Sequence, residues 1–130
     1  MIVDSSAMVA AIKREPDWIM LSQAMDSAAT LSISAASYLE TSIVVDGLRD
    51  PVQSAKLDEL MLDLEMIIEP VTATQARIAR QAYRDYGKGS GHSANLNFGD
   101  CFSYALAREK RQPLLYKGDD FVHTDVRPAI

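Results

Sequence analysis

Cysteine occurs once in these 130 residues, so no disulfide can form within the chain and a thiolate zinc cluster is not available. A reducing, cytoplasmic setting fits that usage. Histidine occurs twice, which suits chemistry that needs no histidine base. No apolar run approaches the roughly 20 residues of a membrane span. Asp4 interrupts the apolar opening Met1-Ile2-Val3 almost at once, so no secretory leader is expected. Positive charge is in short supply, with 13 Lys and Arg against 18 Asp and Glu and a net charge of −5. That balance argues against a nucleic-acid surface spread over the whole molecule. It leaves room for a local one, because the cations are grouped: Lys13 with Arg14, then Arg77, Arg80 and Arg84, then Arg108, Lys110 and Arg111. Two bound divalent ions would also bring the total from −5 to −1.

The remaining composition is ordinary for a soluble globular protein, 48% apolar and 24% charged, and predicts one domain over residues 1–130. Short apolar strands are expected at Met1–Val3, Leu31–Ile33, Met66–Ile68 and Pro113–Tyr116. Helices are expected between them. One starts at Ser5 or Ser6 and runs to about Lys13; a second runs from Pro16 to about Ala28. A third is capped by Ser34 and carries Leu39, Ile43, Val44 and Leu48 at helical spacing. A fourth starts at Pro51 with Leu57, Leu60, Met61 and Leu64 on its inner face. A fifth is capped by Thr72 or Thr74, and a sixth covers Asp100 to Lys110. The stretch from Gly87 to Gly99, rich in Gly, Ser and Asn, is the one long irregular segment, of a length often functional. Strands alternating with helices predict an α/β fold with a parallel sheet covered on both faces.

Four acids stand where such a fold gathers its sites. Asp4 follows the first strand, Glu40 lies in the Ala-rich helix after the second, Asp100 opens the last helix, and Asp119 follows the last strand. In a parallel sheet the strand C-termini and the following helix N-termini share one edge. Carboxylates converging there repel one another unless a hard divalent cation sits among them. Each acid also has a plainer reading: Asp4 and Asp100 as helix caps, Glu40 as part of a capping box with Ser37, and Asp119 with Asp120 as a turn pair.

The four segments in order resemble PIN-domain ribonucleases. Ile2-Val3-Asp4-Ser5-Ser6-Ala7 looks like the family's opening, and Ser34-Ala35-Ala36-Ser37-Tyr38-Leu39-Glu40 is similar to its second motif. Asn97-Phe98-Gly99-Asp100-Cys101-Phe102-Ser103-Tyr104-Ala105-Leu106-Ala107 resembles the third. Leu114-Leu115-Tyr116-Lys117-Gly118-Asp119-Asp120-Phe121 resembles the fourth, particularly as found in VapC toxins of toxin–antitoxin pairs. The likeness runs over essentially the whole chain. It implies a PIN-like three-layer α/β/α sandwich with a mainly parallel sheet and an endoribonuclease dependent on Mg²⁺ or Mn²⁺. It also implies an RNA substrate, dimerisation and a VapB-like antitoxin partner. Asp4, Glu40, Asp100 and Asp119 become the metal-binding and catalytic acids. Asp119 is preferred to its neighbour Asp120 because it lies one residue nearer the strand, and Ser6 matches a small hydroxyl residue near the family's metal site.

Two other classes fit parts of the pattern. A phospho-acceptor signalling domain also gathers acids around Mg²⁺, but the middle strand here is followed by Glu69-Pro70, a poor acceptor. A binding module whose acids are only caps would bind no metal. Gly87-Lys88-Gly89-Ser90 lacks the spacing of a phosphate loop and follows a helix. His92 and His123 are expected at the surface, and Cys101 as a small buried residue. Lys13, Arg14 and Lys117 are candidates for holding RNA phosphates. Trp18, Met20, Leu21 and Met25 share one helix, as core or as an apolar face for an antitoxin segment.

Overall fold

A computed structural model describes all residues, 1–130. Its elements follow in the order β1 (Ile2–Val3), α1 (Ser5–Lys13), α2 (Trp18–Asp26), β2 (Ser32–Ser34), α3 (Ala35–Asp46), α4 (Pro51–Asp63), β3 (Ile67–Glu69), α5 (Ala73–Tyr86), α6 (Phe98–Lys110) and β4 (Leu114–Leu115). The four strands form one parallel sheet in the order β3-β2-β1-β4. From β1 the chain moves outward through β2 to β3, then returns to the other side of β1 as β4. The direction of winding therefore reverses between β1 and β4, where a crevice opens at the strand C-termini.

Alternation along the short strands builds a core on each face of the sheet. Val3, Ile33 and Leu115 point into one cluster with Met8, Ile12, Leu21, Met25 and Leu57. Ile2 and Leu114 point into the other, with Leu96, Tyr104, Leu106 and Phe121. Helices α1, α2 and α4 thus cover one face, and α5 and α6 the other, giving the three layers the sequence implied. No helix is long and apolar enough to cross a membrane.

Caps set most helix starts. Asp4, Ser34, Asp50 and Thr72 each accept a backbone N–H from the first turn of the helix they precede, and Pro51 takes the first position of α4. Three expectations shift. Helix α2 begins at Trp18, because Pro16 and Asp17 are spent in a turn. Helix α6 begins at Phe98 rather than Asp100, because Asn97 caps it and Asp100 falls three residues inside. The third strand runs one residue later than expected and lies at the sheet edge, so Ile67 and Ile68 are exposed and only Met66 is buried.

Helix α3 departs further from its pattern. Its apolar residues Leu39, Ile43 and Val44 face outward, as does Leu48 just past its end, with Ile43 63% exposed, while Ser37, Thr41 and Val45 are buried. The polar face can pack inward because its hydroxyls are satisfied locally. Thr41 donates to the Ser37 carbonyl at 2.8 Å, and Ser37 and Ser103 of α6 share a hydrogen bond of 2.9 Å. Small side chains let the two helices approach, and the apolar stripe is left on the surface.

Candidate active site

The edge of the sheet carries an open cavity of about 430 Å³, lined by Asp4, Glu40, Asp100 and Asp120 together with Glu15 and Lys117. Asp4 is buried at the end of β1, where its backbone N–H reaches the Leu115 carbonyl across the crevice at 2.9 Å. Its Oδ2 accepts from both the backbone N–H and the hydroxyl of Ser6, at 2.9 and 2.6 Å. The Ser6 oxygen in turn accepts the Lys117 N–H at 3.0 Å, tying the start of α1 to the loop after β4. Ser6 therefore bridges the two segments and orients the acid at once.

Asp100 is buried in the first turn of α6. It forms a reciprocal box with Asn97: the Asp100 N–H donates to Asn97 Oδ1, and the Asn97 N–H donates to Asp100 Oδ2, both at 2.9 Å. Glu40, on an exposed position in the second turn of α3, accepts the Ser5 hydroxyl through Oε1. A Cβ on Gly99 would collide with the Glu40 carboxylate, so the absent side chain lets that acid lie against the N-terminus of α6. The positive end of that helix favours the charge.

A common rule emerges. Asp4, Glu40 and Asp100 each commit one oxygen to a donor in the protein, and the other oxygen of each has no donor from the chain. The electrostatics match. Burial, opposed by the Asn97 N–H, and the charges of Asp4, Asp120 and Glu40 push Asp100 up to about 7. Asp120 is raised as well, through partial burial and the charges of Asp4 and Asp119. As arranged, no three of the acids are near enough to share one ion. The donor set is nonetheless all carboxylate, the set a hard cation prefers, and Glu40 and Asp120 sit at exposed positions from which their carboxylates can turn inward.

Of the four acids expected from the sequence, the structure brings Asp4, Glu40 and Asp100 to the cavity. Asp119 lies outside its lining, and Asp120 takes the fourth place. Gly118, at φ 93°, turns the chain there, so the residue nearer the strand is carried past the cavity and the next one is delivered to it. Lys117 lines the rim but pairs with Glu15 at 2.5 Å, and Glu15 also lies 3.8 Å from Lys13, so both candidate phosphate-holding lysines have an acidic partner. The guanidinium of Arg14 stacks over Trp18 at 5.3 Å. His92 is turned away, with its Nδ1 accepting the Ala94 N–H and its ring edge-on to Tyr86. Sequence reading passed over Asn97 and Gly99. The Asn-x-x-Asp spacing ahead of an apolar run was the available signal for the first.

A parallel sheet wound to both sides of β1, with a cleft of carboxylates at its switch point, defines the class of α/β domains with an acidic cleft at the sheet edge. Comparison with known proteins makes the class specific. The family model described as PIN domain matches residues 1–127. The VapC ribonuclease Mb0625 of Mycobacterium bovis and ribonuclease VapC28 of Mycobacterium tuberculosis are each 55% identical over 130 residues, covering 100% of this chain and 98% of the relative. The crystal structure of Mycobacterium tuberculosis VapC20, a sarcin–ricin loop cleaving toxin, superposes with a TM-score of 0.70 over 98% of both chains at 19% identity, a likeness of fold. The chain belongs to the PIN-domain family, among its VapC ribonucleases.

Proposed function

We propose that residues 1–130 act as one nuclease domain, the toxin of a type II toxin–antitoxin pair, an endoribonuclease that hydrolyses RNA phosphodiesters with the help of Mg²⁺ or Mn²⁺. The observation that carries this reading is the one cleft lined by Asp4, Glu40, Asp100 and Asp120, with one oxygen of each of the first three left without a donor. The names of the relatives and the dependence of such nucleases on a divalent metal support it. When bound, a divalent cation supplies charge neutralisation and the activation of water for attack in line with the scissile bond. Asp4, Asp100, Glu40 and Asp120 would hold it. Ser6 and the Asn97 N–H fix the buried pair, so little reordering is needed when substrate arrives. Ser5 holds Glu40 against the rim. Asp100, whose carboxyl burial pushes up to about 7, would give up its proton on holding the cation.

The antitoxin is proposed as a small protein with a basic segment laid along the acidic edge. An arginine fork suits paired carboxylates and would compete with metal. Ile19 and Met20 of α2, more than half exposed beside the half-buried Trp18, offer apolar purchase for a helical part of it. A homodimer through the outward stripe of α3 is proposed on the exposure of Leu39 and Ile43. Two experiments test the assignment. Calorimetry with Mn²⁺ should show binding that Asp4→Asn or Asp100→Asn weakens sharply without unfolding the chain. Induced expression in a host lacking the antitoxin should arrest growth with the parent but not with Asp100→Asn; equal growth of the two would count against a toxin.

A further inference from the structure

A second groove, of about 740 Å³, runs between α5 and α6 on the side of the molecule next to the acidic cleft. Its walls combine two chemistries. Arg80, Arg84 and Lys88 supply cations, all at exposed positions, and none of them makes an ion pair. No acid lines the groove, although the chain has 18 of them and a net charge of −5. Tyr83, Phe98 and Phe102 supply rings. Phe98 is 79% exposed, and it meets Phe102 edge to face with centroids 4.9 Å apart. The Tyr83 hydroxyl donates to the Lys88 carbonyl at 3.0 Å, which holds the loop after α5 against the groove. Asn97, the residue that fixes Asp100, lines both this groove and the acidic cleft, so the two adjoin at that residue.

Exposed rings beside unpaired cations form the surface on which a single-stranded nucleic acid stacks its bases and lays its phosphates. We infer that the groove between α5 and α6 is the path of the RNA strand adjoining the cleaved bond, with Phe98 and Tyr83 stacking bases and Arg80, Arg84 and Lys88 contacting phosphates. The inference rests on the nuclease reading above and extends it to where the substrate lies. It makes the groove selective for unpaired RNA, because a duplex offers no free base faces to the rings.

The test measures binding of a short fluorescein-labelled single-stranded RNA by anisotropy, in Mg²⁺ and in the Asp100→Asn background so that the strand stays whole. Phe98→Ala should weaken binding roughly five- to a hundredfold, the range that loss of one stacked base spans, and Phe98→Trp should retain it. Arg80→Ala with Arg84→Ala should weaken binding and lower the slope of log affinity against log salt by about 0.7 for each phosphate no longer neutralised. Lys88→Gln, at an exposed loop position, repeats the charge test should the arginine pair fail to fold. Mn²⁺ affinity should be unchanged in all of them, and in the active background KM should rise more than kcat falls. Unchanged RNA affinity and salt slope would overturn the inference. So would a loss of affinity accompanied by a fall from dimer to monomer in light scattering, which would make the groove an interface between copies. Cleavage by the parent with indifferent groove variants sinks the groove alone, whereas a parent that neither binds nor cuts RNA sinks the nuclease reading with it.

Discussion

Asp100 concentrates the chemistry of the molecule in one side chain. Its carboxyl is raised from 3.8 to about 7 by burial and by three neighbouring acids. Because the folded chain holds this proton to a higher pH than the unfolded chain does, the contribution of Asp100 to metal-free stability is greatest below about pH 4 and is lost as pH rises toward 7. Thermal melts in EDTA across that window should show the decline in the parent and lose most of it in Asp100→Asn; a parent curve as flat as the variant's would contradict it. Entry of a divalent cation at pH 7 should then expel protons, measurable by calorimetry in buffers of different ionisation enthalpy. A neighbouring pair allows a sharper comparison. Asp120→Asn should lower Mn²⁺ affinity by roughly tenfold or more, a loss of about 1.4 kcal/mol, while Asp119→Asn should leave it close to the parent's. The reverse order would return the fourth place to Asp119. Gly99→Ala should weaken Mn²⁺ binding too, since the new methyl occupies the place of the Glu40 carboxylate, and shortening that acid with Glu40→Asp should restore part of the affinity.

Among the elements, helix starts do double duty as structure and as site. Asp4 caps α1, Ser34 caps the helix that carries Glu40, and Asn97 with Asp100 caps α6. The plain reading of these acids as caps therefore holds for Asp4, and for Asp100 as the partner of Asn97 in the box, while one oxygen of each is left without a donor, as the proposed ligand role requires. Removing the reciprocal cap with Asn97→Ala should lower stability by about 1 kcal/mol in urea unfolding and lower metal affinity as Asp100 loses its anchor. Stability lost without any change in affinity would show the box to be structural only. That Asp4, Glu40 and Asp100 would reach one edge of the sheet was legible because strand ends and cap residues announce themselves locally. The fourth was not, because adjacent aspartates carry the same local signal and the left-handed turn at Gly118 decides between them. Helix α3 hid its orientation for a related reason. Leu39 and Ile43 have the spacing of a core face, and only the hydroxyl pairing of Ser37 with Ser103, far apart in sequence, shows that the opposite face is the buried one.

For the whole molecule, alternation of apolar strands with capped helices was enough to predict the parallel α/β sandwich, since buried strands between helices have few other solutions. The strand order, and with it the crevice between β1 and β4, is a consequence of pairing across the chain that no local pattern records. That crevice is what turns four scattered acids in a chain of net charge −5 into one cleft, and the cations of α5 lie beside it rather than across the surface. Mass action then links fold and function: a ligand that binds only the folded cleft stabilises it by about 2.7 kcal/mol at a hundred times its Kd, so Mg²⁺ should raise the melting temperature of the parent and not of Asp100→Asn. The central claim is hydrolysis of RNA at the carboxylate cleft with a divalent metal. The direct measurement is cleavage of an end-labelled RNA by the purified chain in Mg²⁺, in EDTA and as Asp100→Asn at matched concentration. The account predicts discrete products in Mg²⁺ alone, with EDTA and Asp100→Asn each abolishing them. Cleavage that persists in EDTA, or in the folded Asp100→Asn protein, would contradict it.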